Sequence, residues 1–140
     1  MSTTPAQGKA VTPETPLPQI PVWGMALTPF HKGAAAIDHE SLRRHVSSMV
    51  DDGVSGLVAL GVIAEPSALS REERADALDA IIEAAGDRPV VATAMTSDPD
   101  QRAAELRGII APRSSRLAGL MLPRVLARPP SRCVGVHRRA

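Results

Sequence analysis

An apolar, strand-like segment recurs about every 30 residues, near residues 25, 57, 90 and 119, and each gap holds a helix-like stretch. Few folds accommodate that alternation. A strand, a crossover helix and a second strand parallel to the first make one right-handed unit, and serial repeats of it build a parallel sheet backed by helices. The fold class is therefore α/β.

The segments can be bounded residue by residue. VWGMALTPF (22–30) reads as a first strand that stops at Thr28-Pro29, because proline cannot continue a central ladder. Asp38 is placed to cap a helix to about Asp52, with Gly53 as its stop, and Leu42, Val46, Met49 and Val50 share one face. GLVAL (56–60) is continuously apolar, as in a strand covered on both sides. Ser70 to Glu73 reads S-x-x-E, a capping box, and the helix beyond it lines up Leu78, Ile81, Ile82 and Ala85 before Gly86. PVVATAM (89–95) predicts a third strand. Asp98-Pro99 opens another helix with Ala103, Leu106 and Ile110 aligned, and AGLMLP (118–123) predicts a fourth strand.

Two architectures suit this series: an open doubly wound sheet or part of a (β/α)8 barrel. A dinucleotide-binding open sheet calls for G-x-G-x-x-G after its first strand, but HKGAAAID follows Phe30. That favours the barrel, and four units give its N-terminal half only. The expected division is a disordered Pro/Thr-rich leader over 1–20, a partial barrel over 21–123 and an irregular Arg/Pro-rich tail over 124–140. From Arg107 onward the helical and strand periods fade.

Composition restricts the core and the partners. Apolar residues make up 44% of the chain, yet Trp23 and Phe30 are its only aromatics, so the core must be aliphatic. The single cysteine, Cys133, rules out an internal disulfide and fits a reducing, cytoplasmic setting. No run approaches the ~20 apolar residues that span a bilayer, so no membrane partner is expected. Up to residue 106 there are 8 Lys+Arg against 15 Asp+Glu; from Arg107 there are 8 arginines and no acid. Without aromatics to stack on bases, that basic tail does not make a nucleic-acid binder.

In either architecture ligands sit at the carboxyl ends of strands. GVIAE (61–65) lies at such an end, and backbone N–H groups in a tight turn of small residues form a donor site suited to a carboxylate or phosphate. An ordinary strand-to-helix turn is the plain alternative. His39 and His45 are six residues apart, which does not put two imidazoles on one helix face, so both read as surface residues and no metal site is expected. Glu72, Glu73 and Asp76 compensate a helix dipole. Glu65 is a candidate for orienting the loop, and Cys133 has no feature of a nucleophile.

The stretch from Trp23 to Arg74 resembles the dihydrodipicolinate synthase/N-acetylneuraminate lyase family. It carries A-x-TPF near the first strand, ID-x-x-x-L-x-x-H-V along the first helix, G-V-x-G-L-x-x-x-G-x-x-x-E in the second unit and L-S-x-E-E-R at the next helix start. The resemblance covers roughly residues 22–106. It implies a (β/α)8 barrel, a homo-oligomer, and a lyase or aldolase that acts on pyruvate or a related 2-oxo acid without a cofactor, through an imine on a late-barrel lysine with a tyrosine as proton relay. It also implies that Met25 lines the pocket and that Gly61, Val62 and Ile63 hold the substrate carboxylate.

The departures are as informative. Val62 and Ile63 stand where the family usually has hydroxyl residues, and Ala64 stands for a glycine. The only lysines are Lys9, in the leader, and Lys32, in the first loop, and there is no tyrosine. No catalytic residue is therefore assigned. The expectation is a truncated family member, inactive alone, whose last ~30 residues read like an out-of-frame stretch of a GC-rich gene. The alternative is a non-catalytic interaction module that pairs with a full-length homologue, or a remnant without a role.

Overall fold

The computed structural model describes residues 20–96 and 98–122, so the expected leader (but for Ile20) and the tail over 124–140 lie outside the described residues. Strand β1 (Trp23–Met25) is shorter than the expected 22–30. The Ala26 N–H still donates to the Val58 carbonyl at 3.0 Å, but beyond it the chain leaves the ladder, and Phe30 pairs antiparallel with Ile37 instead.

Helix α1 (His39–Asp51) starts where Asp38 accepts from the Ser41 amide at 2.9 Å and from its hydroxyl at 2.7 Å. Those two bonds hold the Asp38 carboxyl below the usual carboxylate range, with His31 and Arg44 adding attraction. Strand β2 (Gly56–Ala59) is wholly buried. Helix α2 (Arg71–Ala85) opens on the expected capping box: Ser70 Oγ accepts from the Glu73 N–H, and the Glu73 carboxylate accepts from the Ser70 N–H. It closes at Gly86, whose φ of +58° is open to glycine at little cost.

Strand β3 (Val90–Thr93) leads to helix α3 (Pro99–Glu105), capped by Asp98 through the Gln101 N–H. Order does not fade at Arg107. The helix continues as a widened π turn over Leu106–Ile110 and then as a tightened 3-10 turn over Ala111–Arg116, before strand β4 (Gly119–Met121). Ile109 and Ile110 are buried in the core, and Arg113 makes a two-pronged ion pair with Asp79 of α2. Apolar anchoring and that ion pair override a weak local pattern.

The four strands are all parallel and lie in the order β1-β2-β3-β4. No reversal occurs, so the doubly wound alternative is excluded for these strands; the arrangement is that of consecutive units of a (β/α)8 barrel. The two faces differ sharply. A Cβ on Gly24 would meet Met49 and Val54 on the helix side, whereas one on Gly56 would run into the Trp23 ring on the opposite side. Leu57, Ala59, Val90 and Ala92 face the helices and join Leu42, Val46, Leu78, Ile81, Ile82 and Ile109 in one aliphatic core. Trp23, Met25, Val58, Val91 and Met121 fall on the other, concave face. Among the described residues no helix is long and apolar enough to cross a membrane.

Candidate functional site

The loop after β2 sits at the carboxyl end of the sheet, beside the end of β1. Its abrupt start is made by Leu60, not by Gly61. Leu60 takes a left-handed φ of +57° while its side chain stays 1% exposed, and Gly61 itself is extended at φ −67°. Burial of the Leu60 side chain offsets a backbone conformation that costs about 1–2 kcal/mol. A Cβ on Gly61 would lie 2.5 Å from the Met25 Cε, the movable end of a flexible side chain that would have to shift aside.

Val62–Ala64 then forms a single 3-10 turn, with the Ala64 N–H donating to Gly61 O at 2.9 Å and the Glu65 N–H to Val62 O at 3.0 Å. A turn of this kind leaves its first two N–H groups, those of Val62 and Ile63, without an acceptor inside it. Both side chains point into solvent, 69% and 57% exposed. Glu65 is exposed and also left-handed, at φ +48°; its backbone turns the chain into a second 3-10 turn over Pro66–Ala68. The role expected for its carboxylate, orienting the loop by hydrogen bonds, is not seen among the described residues.

Met25 and Gly61 are thus in direct contact, with Val62 and Ile63 on the exposed side of the same turn. Lys32 lies exposed in the loop between β1 and α1. Sequence reasoning missed Thr28, whose hydroxyl donates to the Ala64 carbonyl at 2.9 Å and ties the end of β1 to the turn; its place beside Pro29 was the available signal. It also missed a cleft of about 350 Å³ between the β2 and β3 loops, lined by Pro66, Ser67, Arg74, Met95, Thr96 and Glu105. There Glu105 is 6% exposed, its carboxylate 3.5 Å from the Arg74 Nε, while Arg74 Nη1 donates to Pro66 O. That pair closes only on folding, so no local spacing announces it.

The histidines also differ from expectation. His39 and His45 are half-buried rather than exposed, and the Nε2 of His45 is closed off from solvent without a hydrogen-bond partner.

Comparison with known proteins sets this geometry in context. The profile of the dihydrodipicolinate synthetase family matches residues 21–106. The 4-hydroxy-tetrahydrodipicolinate synthase 2 of Streptomyces coelicolor is 34% identical over 95 residues, which are 68% of this chain and 31% of that protein. The 4-hydroxy-tetrahydrodipicolinate synthase of Haloarcula marismortui is 40% identical over 65 residues, 46% of this chain and 21% of that one. A crystal structure of a dihydrodipicolinate synthase family protein from Coccidioides immitis superposes with a TM-score of 0.65 at 27% identity, covering 75% of this chain and 34% of the other. The chain therefore spans a third or less of these curated relatives.

Proposed function

This chain belongs to the dihydrodipicolinate synthetase family, and on that premise we propose that the Gly61–Glu65 turn is a carboxylate cradle for a small 2-oxo acid such as pyruvate, held without covalent capture. The observation that carries the reading is the turn itself. Two N–H groups with no acceptor inside it lie at the carboxyl end of a buried parallel strand, next to a glycine that lies against the Met25 methyl group.

The chemistry beyond binding follows from what the side chains can supply. A Schiff base needs an amine within reach of the keto carbon. This chain's lysines are Lys9, outside the described residues, and Lys32, exposed on the loop after β1. Neither belongs to a late barrel strand, and the absence of tyrosine removes the relay that the family resemblance implies. Val62 and Ile63 offer amides but no hydroxyl, so they can orient a carboxylate and cannot pass a proton. The 140-residue chain is accordingly a family lyase or aldolase segment that binds and does not turn over. Its single cysteine and lack of a disulfide partner suit the cytoplasm.

Titrating the 15N-labelled chain with pyruvate tests this. Saturable shifts of the Val62 and Ile63 amide resonances are expected, together with no added mass after borohydride reduction. A reduced adduct on Lys32, or unmoved amides at both positions, would overturn the proposal.

A further inference from the structure

Three buried side-chain atoms among the described residues have no hydrogen-bond partner: His45 Nε2, Arg74 Nε and Thr93 Oγ1. The first two belong to helices, and Arg74 Nε still has the Glu105 carboxylate 3.5 Å away. Thr93 is different. It is the last residue of β3, at the carboxyl end of the sheet, and is only 1% exposed. An unpaired buried hydroxyl lowers stability, and a valine would fill the same space without that penalty. Such a group calls for a reason beyond packing.

The ladder fixes where the hydroxyl lies. Thr93 pairs with Met121 of the concave face, while Ala92 beside it belongs to the helix-side core. Thr93 is therefore on the concave face. One residue beyond the Ala59–Ala92 pair, its counterpart on β2 is Leu60, one strand spacing of about 4.8 Å away and directly before Gly61. Strict alternation would put Leu60 on the concave face too. Its left-handed backbone sends the side chain into the aliphatic core instead, so no β2 side chain stands beside Thr93 where the turn begins.

From this we infer that Thr93 is the specificity-determining residue of the Gly61–Glu65 cradle: its hydroxyl donates to the 2-oxo oxygen of the acid whose carboxylate the Val62 and Ile63 amides hold. That role rests on the cradle proposed above. A ketone oxygen only accepts, and Val62 and Ile63 bring no hydroxyl, whereas Thr93 supplies a donor from the adjacent strand. The carboxylate and the 2-oxo group of such an acid sit on neighbouring carbons, which suits donors on neighbouring strands. Met121, beside Thr93 on this face, is 48% exposed and ends in a flexible thioether. A small acid thus reaches the hydroxyl by moving a side chain and no backbone. The partner that the chain does not give Thr93 is supplied by the ligand.

Amide titrations of the 15N-labelled 140-residue chain with pyruvate and with propionate, which has the same carbon skeleton and no 2-oxygen, test this. The parent chain should bind pyruvate about fivefold tighter than propionate, the worth of one neutral hydrogen bond. Thr93→Val should abolish that preference by weakening pyruvate alone, and Thr93→Ser should keep it. Thr93→Val should also raise the urea midpoint, because it removes a buried unpaired hydroxyl. Affinity lost while stability is gained is a pattern that a packing role would not produce. A parent chain that binds both acids equally, a preference that survives Thr93→Val, or an equal weakening of both acids would overturn the role of Thr93 and leave the cradle standing. A lowered urea midpoint would give the hydroxyl a partner within the chain and overturn it as well. Val62 and Ile63 amides unmoved by either acid would overturn the cradle, and the role of Thr93 with it.

Discussion

Gly61 and Met25 compete for the same few ångströms, which makes the pair a test of how the turn is built. Replacing Gly61 by Ala brings a methyl group to 2.5 Å from Met25 Cε. The φ of −67° suits alanine, so the cost is steric and not conformational. Because Met25 ends in a flexible, 42% exposed thioether that can swing away, Gly61→Ala should cost under about 1 kcal/mol, and Met25→Ala in the same chain should remove what remains of it. Additive effects in a double-mutant cycle by urea unfolding would refute the contact. Val62 offers a cleaner probe of the cradle. It is the first residue of its short helix, where proline is tolerated because its N–H has no acceptor there. Val62→Pro deletes one donor to the carboxylate and should weaken pyruvate binding about tenfold, as expected for a charge-assisted hydrogen bond, with the unfolding midpoint preserved. Unchanged affinity by amide titration would remove Val62 from the site. At this scale the sequence announced where the turn is but not how it is made. Gly61 drew the eye, while the left-handed residues are Leu60 and Glu65, where packing and loop closure, not intrinsic preference, set the backbone.

Among the elements, the helix from Pro99 to Arg116 shows why local pattern is an incomplete guide. Its start was legible in Asp98-Pro99. Its continuation was not, because the turns widen over Leu106–Ile110 and tighten over Ala111–Arg116, and neither keeps a period of 3.6. What fixes that segment is long-range. Arg113 Nε donates to Asp79 Oδ1 at 2.7 Å, Nη2 donates to Oδ2, and Nη1 donates to the Ile109 carbonyl. The hydrogen bonds and charge of Arg113 hold the Asp79 carboxyl below its ordinary 3.8. A carboxylate whose folded value is depressed adds stability that is complete above the unfolded value and vanishes as pH falls through the folded one. The Asp79 contribution is therefore present at neutral pH and lost below pH 3.8. With 47% of the Asp79 side chain exposed, solvent screening limits it to about 1 kcal/mol at most. Asp79→Asn should lower stability by that amount at pH 7 and converge with the parent chain as pH drops below 3.8. A gap that stays constant with pH, followed by urea midpoints, would mean that the pair does not act through charge.

For the whole molecule, the decisive fact is that the sheet is packed more densely on its helix side than on the other. Leu57, Val90 and Leu78 lie in the aliphatic layer between strands and helices, whereas on the opposite face Trp23, Met25 and Met121 stay nearly half exposed around the buried Val58 and Thr93. The strand order and the aliphatic character of the core were both readable from the repeat and from the scarcity of aromatics. Which face would lack a cover was not, because continuously apolar strands look alike on their two sides. The asymmetry dictates how substitutions should partition. Leu78 is fully buried, so Leu78→Ala removes apolar contacts and leaves a cavity, at a cost of about 2–5 kcal/mol, a large part of what a domain of this size commands. Met25 is 42% exposed in a single copy, so Met25→Ala should cost under about 1 kcal/mol in dilute solution. Urea unfolding of the two variants at one protein concentration measures both penalties. Equal penalties would mean that Met25 is packed as tightly as Leu78 within the chain, and the unequal packing of the two faces would have to be abandoned.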